Sequence, residues 1–156
     1  MAFPFSVLPL AVGIPRSVKL VEEAMQGDSL VGLFTAKDAS VEEPLPGQVY
    51  ETGTMARILR VVRGEDGILQ VVVQGLERIR VLHWITSEDY LRARVAVAAE
   101  AVETDLETEA LIGNLKELGR AVVQLSPNIP NEAADFLDSV NDPRYLAYLV
   151  AANSQL

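Results

Sequence analysis

Few side chains in this sequence are of a type that performs covalent or metal chemistry. His83 is the only histidine and the chain has no cysteine, so the usual His and Cys ligands of a zinc site are missing. No serine stands in a Gly-x-Ser-x-Gly elbow, and a Ser-His-Asp arrangement would have to recruit the lone histidine. We therefore expect no catalytic residue, metal or cofactor, and we expect His83, beside Trp84 in a strand, to be a partly buried structural residue.

Two acidic segments have both a functional and a structural interpretation. Residues 64–67 (GEDG) have the glycines of a phosphate cradle, but the two acids would repel phosphate and no Gly-Lys-Ser/Thr follows. A hairpin turn is the expected structure. Glu42 and Glu43 could ligate a cation, yet adjacent acids before a proline are more typical of a solvated loop.

The charge of the chain is uneven along its length. The net charge is −9, and residues 99–156 contain 3 basic and 10 acidic residues. Because phosphate backbones are bound mainly through Lys and Arg, this composition argues against nucleic acid as a partner. In the more balanced first part, Glu77, Arg78 and Arg80 could form a recognition cluster, although cross-strand ion pairing is the favoured interpretation.

The elements of the first hundred residues are mainly strands. Apolar alternation and β-branched runs predict them, and short turns that contain glycine join them. We expect the run that starts at Ile68 to be buried on both faces and to end at Gly75. The absence of a strand-helix-strand rhythm favours an antiparallel sheet or barrel. The predicted strands are Leu30 to Thr35, Glu51 to Val62, Ile68 to Val73, Arg78 to Ile85 and Tyr90 to Val97.

Helical periodicity dominates after residue 100. One apolar face recurs at spacings of four and three, and Thr104 with Glu107 predicts a capping box at its start. Prolines end this helix, and Asp142 with Pro143 opens the last one. We expect two subdomains: residues 1–100, β-rich with one helix near 15–26, and residues 101–156, with helices at about 105–125, 131–139 and 143–153. The recurring residues are Leu111, Leu115, Leu118, Val122 and Leu125.

No apolar run approaches the roughly 20 residues that a membrane span needs. The first twelve residues also lack the positive flank of a signal peptide. Together with the absence of cysteine, these features predict a cytoplasmic protein with no membrane partner.

Several segments, in the same order along the chain, resemble the N-terminal domain of the ATP-dependent Lon proteases. The opening resembles that family's phe-pro, leu-pro-leu and val-gly stretch, and later segments resemble its lys-asp-ala, gly-thr, gly-leu-x-arg and asp-pro motifs. The similarity covers almost the whole chain. The segments are residues 3–25 (FPFSVLPLAVGIPRSVKLVEEAM), 33–39 (LFTAKDA), 50–59 (YETGTMARIL), 73–80 (VQGLERIR) and 142–152 (DPRYLAYLVAA).

The resemblance implies an α+β fold: a β-rich, PUA-like pseudobarrel followed by a small C-terminal α-helical bundle. It also implies a non-catalytic domain that binds unfolded or degron-bearing proteins and supports assembly of the Lon hexamer. ATP and Mg²⁺ would belong to an AAA+ module, and proteolysis to a serine-lysine peptidase module; this sequence has no Walker motif. The alternatives are a stand-alone Lon-domain adaptor or ligand-binding module, and a PUA-like RNA binder, against which the charge argues.

Substrate capture by such a domain would need accessible apolar side chains. The candidates are Phe3, Phe5, Tyr145 and Tyr148, for each of which ordinary packing is the structural alternative. The sequence departs from the family at Ala36, where a glutamine is usual. It also lacks the family's leu-pro-leu-arg type strand before Phe3, so we expect an open sheet edge and self-association through it.

Overall fold

The computed structural model describes residues 2–85, 89–98, 105–127, 129–130 and 132–153. The chain divides into two compact units, Met1–Ala99 and Glu100–Leu156. Among the described residues, the first unit contains five strands, one α-helix and one short 3-10 helix (Pro46–Gln48), and the second contains three α-helices. The elements are β1 (Val7–Val12), α1 (Pro15–Gln26), β2 (Leu30–Ala36), β3 (Val49–Arg63), β4 (Leu69–Ile85), β5 (Arg92–Val97), α2 (Leu106–Leu125), α3 (Glu132–Ser139) and α4 (Pro143–Asn153).

All five strands belong to one antiparallel sheet in the order β1-β4-β3-β2, with β5 also paired to β4. The β3–β4 hairpin forms its centre. Its turn has Gly67 at φ +82°, a conformation that glycine adopts without steric cost. The edge of β4 opposite β3 pairs first with β1 and further along with β5. The long strand β4 therefore organises the whole sheet.

Gly75 does not end a strand, as its type suggests, but lies inside β4. It takes part in two backbone hydrogen bonds: Phe5 N–H donates to its carbonyl (2.9 Å) and its own N–H donates to the Ser6 carbonyl (2.8 Å). A Cβ at this position would lie 2.1 Å from the Phe3 carbonyl oxygen. Glycine is needed here because the chain ahead of β1 crosses β4 in direct contact.

Strand β1 is not predicted by sequence pattern, because it contains a proline and no clear alternation. It holds the Leu-Pro-Leu residues of the opening, and its register on β4 runs from Val7 opposite Gln74 to Val12 opposite Leu69. Proline is tolerated there because an edge strand leaves one row of N–H groups unpaired by the sheet.

The core of the first unit lies on one face of the central hairpin. Helix α1 packs on it through Val21, with Val18, Leu20 and Ala24 around the contact. The expectation that the β4 run is buried on both faces is wrong, because Gln70 is exposed and Val72 only half-buried between buried neighbours. Both are on the outer face. The core residues are Val21, Ala56, Ile58, Leu69, Val71 and Val73.

In the helical unit, α2 contacts both α3 and α4. Thr104 lies outside the described residues; the N-cap is Asp105, whose carboxylate accepts a hydrogen bond from the Thr108 N–H at 2.7 Å. Gly119 lets α3 approach, since a Cβ there would lie 2.8 Å from Leu137 Cδ1. The apolar face predicted from spacing is largely exposed, at 61% for Leu111, 65% for Leu118, 56% for Val122 and 84% for Leu125.

Candidate functional site

An apolar surface runs along the β4–β5 pair in the first unit. The register places Val97 opposite Ile79, Val95 opposite Val81 and Ala93 opposite Trp84. Directly opposite residues share a face of a sheet, and so do residues two apart on β5, so these six side chains form one surface. We call it the apolar face. Val97 is 55% exposed and Val95 37%, so this face remains accessible along β5.

Phe34 of β2 extends this surface over the hairpin. Its ring lies against Gly32 and Gly53: a Cβ on Gly32 would lie 2.7 Å from Phe34 Cε2, and one on Gly53 would lie 2.6 Å from Phe34 Cδ1. The same ring meets Trp84 edge-on, with centroids 6.1 Å apart and planes at 62°. The two glycines therefore create the space in which the aromatic pair lies.

A cleft of about 780 Å³ opens beside the aromatic pair, within the range of small-ligand sites. A second groove of about 730 Å³ runs past the other side of Trp84, along Lys19, Leu45 and Ile85. The lining of the cleft combines apolar side chains with polar and charged ones such as Arg16, Glu23 and Arg92, so the cleft can bind an apolar side chain beside polar groups. Among its lining residues are Leu20, Phe34, Met55, Ile79, Trp84 and Val95.

The rim of the cleft is a polar cluster that joins α1 to the start of β5. Tyr90 O–H donates to Glu23 Oε2 at 2.5 Å, and Arg92 Nη2 donates to both the Tyr90 oxygen (2.7 Å) and Glu23 Oε2 (3.0 Å). These contacts, led by the hydrogen bond to Tyr90, raise the pKa of Arg92. A hydrogen bond to Asp89 likewise raises the pKa of Lys19, and the two charges are 2.6 Å apart. These contacts favour the charged forms of Arg92 and Lys19.

The four substrate-contact candidates fall in different units. Phe3 is half-buried and Phe5 is 44% exposed at φ +65°, in the turn that crosses β4. Tyr145 is half-buried and meets Phe136 edge-on, with centroids 6.2 Å apart; Tyr148 is also half-buried. None of the four lines the β4–β5 cleft. Spacing could not reveal the apolar face, because it depends on the register between β4 and β5.

His83 is not the partly buried residue that its strand position suggests, because the structure places it in an exposed position opposite Arg94. Across the described ranges there is no group of three or more His, Cys, Asp or Glu side chains that could hold a metal ion. In the same part of the chain, no helix is long and apolar enough to cross a membrane.

Comparison with known proteins identifies the class of protein to which this chain belongs. The family model of the ATP-dependent protease La (LON) substrate-binding domain matches residues 1–156, and the chain belongs to this family. It is 40% identical over 153 residues to Lon protease of Anaeromyxobacter dehalogenans (strain 2CP-C), covering 97% of this chain and 18% of the relative. With Lon protease 2 of Myxococcus xanthus it is 41% identical over 153 residues, covering 97% and 18%.

The chain thus spans about a fifth of the length of the curated relatives it matches. Among solved structures, the N-terminal domain of Mycobacterium avium complex Lon protease superposes with a TM-score of 0.78 at 26% identity, covering 100% of this chain and 78% of that one. A Lon N-terminal domain protein from Xanthomonas campestris has the same fold (TM-score 0.56, 22% identity, covering 96% and 90%). The predicted α+β class and the predicted family are both confirmed.

Proposed function

We propose that this chain is the non-catalytic substrate-recognition domain of an ATP-dependent Lon protease in the cytoplasm, and that its apolar face captures unfolded or degron-bearing proteins. The family match supports the substrate-binding role, and the relatives named Lon protease support the parent enzyme. The further partners in this proposal are the rest of the Lon chain and its hexamer, with self-association through an open sheet edge.

One observation carries the proposal: large apolar side chains are left exposed beside an aromatic-lined cleft. Val97 and Val95 are 55% and 37% exposed, and both lie on the apolar face of the β4–β5 pair. Unfolded proteins differ from folded ones in exposing apolar segments that are normally buried, and a contiguous apolar surface is what binds them. The aromatic pair beside it supplies the kind of large, rigid anchor that concentrates binding energy.

Phe3, Phe5, Tyr145 and Tyr148 stay in the proposal as additional contacts. Phe5 is supported best, because its left-handed backbone conformation holds an aromatic ring 44% exposed in a turn fixed to β4. A non-glycine residue at positive φ is uncommon and is often kept for a function.

The test is the affinity of the domain for a permanently unfolded, dye-labelled polypeptide, measured by fluorescence anisotropy. Val97→Asp places a charge on the apolar face and should weaken binding by at least tenfold, since a buried, unpaired carboxylate is strongly disfavoured. Val62→Asp is the matched control: the same change on β3, at a valine 44% exposed and outside the β4–β5 pair. Equal affinities of the two variants would refute the assignment of the site.

A further inference from the structure

The face of the sheet opposite the apolar face carries a row of basic side chains. Arg80 lies opposite Ala96, and His83 lies opposite Arg94; because residues 94 and 96 are two apart on β5, all of these side chains share a face. Arg78, two residues before Arg80, continues the row opposite Thr54. Arg80, His83 and Arg94 are exposed. We call Arg78, Arg80, His83 and Arg94 the basic row.

Among the residues that the structure describes, no ion pair joins Glu77 to Arg78 or Arg80, although the sequence favours cross-strand pairing. Glu77 lies opposite Met55, one residue from the Arg78–Thr54 pair, and so faces the other side of the sheet. The other carboxylate on the described strands is Glu51. It is two residues from Gly53, which lies opposite Ile79 of the apolar face, so Glu51 also faces away from the basic row. In the described residues Arg63, Arg92, Arg120 and Arg144 have carboxylate partners and the arginines of the basic row have none. In a chain of net charge −9, the basic row is therefore a local cluster of positive charge.

Strand β5 lies between the two surfaces. Within the described part of the chain it pairs only with β4, so its other edge presents backbone N–H and C=O groups that a further strand can pair with. Along that edge, Ala93, Val95 and Val97 project to the apolar face while Arg94 projects to the basic row. Arg80, on the neighbouring strand β4, shares this face and lies opposite the small side chain of Ala96. The alternation sets a chemical pattern that an added strand would have to match.

We propose that β5 binds an extended substrate segment by strand addition, and that the preferred segment alternates apolar with acidic residues. Its main chain would extend the sheet, its apolar residues would pack on Val95 and Val97, and its carboxylates would pair with Arg94 and Arg80. Cross-strand pairs of this kind stabilise a sheet, and like charges in the same positions destabilise it. This inference rests on the proposed function and names the substrate class for the same site.

Three labelled seven-residue peptides of equal valine content test the pattern. They alternate Val with Glu, alternate Val with Lys, or carry valines and glutamates in separate blocks; anisotropy is measured with nanomolar peptide. The Val-Glu peptide should bind about tenfold more tightly than the Val-Lys peptide, because two cross-strand charge pairs change sign. It should also bind more tightly than the block peptide of the same composition. Equal affinity for all three would overturn the inference.

Charge reversal tests the residues. The double variant Arg80→Glu/Arg94→Glu should reverse the preference, so that the Val-Lys peptide becomes the tighter ligand. The matched control, Arg57→Glu/Arg60→Glu, changes the charge equally at two exposed arginines of β3, and should preserve the preference for Glu. An identical response of the two double variants would show a general charge effect and overturn the specific assignment.

Backbone methylation of the peptide tests strand addition itself. N-methyl groups on the residues whose N–H groups point toward β5 should abolish binding, whereas N-methyl groups on the alternate residues should leave it within about twofold, because only one set of donors pairs with the edge. Equal sensitivity of the two sets would refute strand addition. Failure of these tests would leave the proposed function standing if an uncharged unfolded polypeptide still binds the domain and Val97→Asp still weakens that binding.

Discussion

Replacing Gly75 by alanine tests the contact between the start of the chain and β4. The new Cβ would lie 2.1 Å from the Phe3 carbonyl oxygen and 3.0 Å from its carbonyl carbon, about an ångström closer than atoms tolerate. Both neighbours are backbone, so rotation of a side chain cannot relieve the clash. The turn that contains Phe5 must move off β4, and the hydrogen bonds of 2.9 and 2.8 Å on either side of Gly75 must lengthen or break.

We expect Gly75→Ala to lower the free energy of unfolding by about 3 kcal/mol. Two backbone hydrogen bonds contribute about 1 kcal/mol each, and overpacking adds roughly 1–3 kcal/mol. Urea unfolding followed by circular dichroism measures the change. Gly47→Ala is the control, because nothing lies within 4 Å of its Cβ and its stability should change by less than about 0.5 kcal/mol. A loss below about 1 kcal/mol for Gly75→Ala would refute the packing described here.

Three further predictions concern single residues. Gly67→Ala should lower the free energy of unfolding, measured in urea, by about 1–2 kcal/mol. The new Cβ would meet no atom within 4 Å, but φ is +82°, a conformation that L-residues disfavour; an unchanged urea midpoint would contradict this. Gly113→Ala, in open space on α2, should raise the free energy of unfolding by about 0.5–1 kcal/mol, and a lower thermal midpoint would show that this face is covered. The hydrogen bond from Arg144 lowers the pKa of Asp142. The stabilisation from the charged carboxylate is therefore complete above the ordinary pKa of an aspartate and is lost as the pH falls through the lowered pKa. When helicity is followed during acid titration, Asp142→Asn should show a shallower loss than the unchanged chain.

The sequence predicts the fold class well because its signals are local. Alternation over β3, the Asp66-Gly67 turn and the proline at the start of α1 each specify an element without reference to the rest of the chain. Gly75 is a different case, because its role is set by a residue 72 positions earlier. Glycine inside a strand marks either an end or a close approach, and only the three-dimensional contact with Phe3 distinguishes the two.

The proposed binding surfaces depend on strand pairing that no single segment encodes. The alternation of β5 shows that Arg92 and Arg94 lie on one face of the strand and Ala93 and Val95 on the other. It does not show which face is covered by the rest of the protein. That outcome depends on the register with β4, including the irregularity between Val81 and His83, which brings His83 opposite Arg94. The sequence favours cross-strand ion pairing of Glu77, but alternation along β4 places Glu77 on the other side of the sheet from Arg78 and Arg80.

Hydrogen exchange of the domain saturated with an unfolded model polypeptide tests the central claim most directly. We predict protection of amides in β5 and in the 79–85 part of β4, with smaller effects around Phe34, and no protection when a folded control protein replaces the unfolded one. Protection absent from β5, or equal with the folded control, would contradict the proposal that this edge and its apolar face capture substrate.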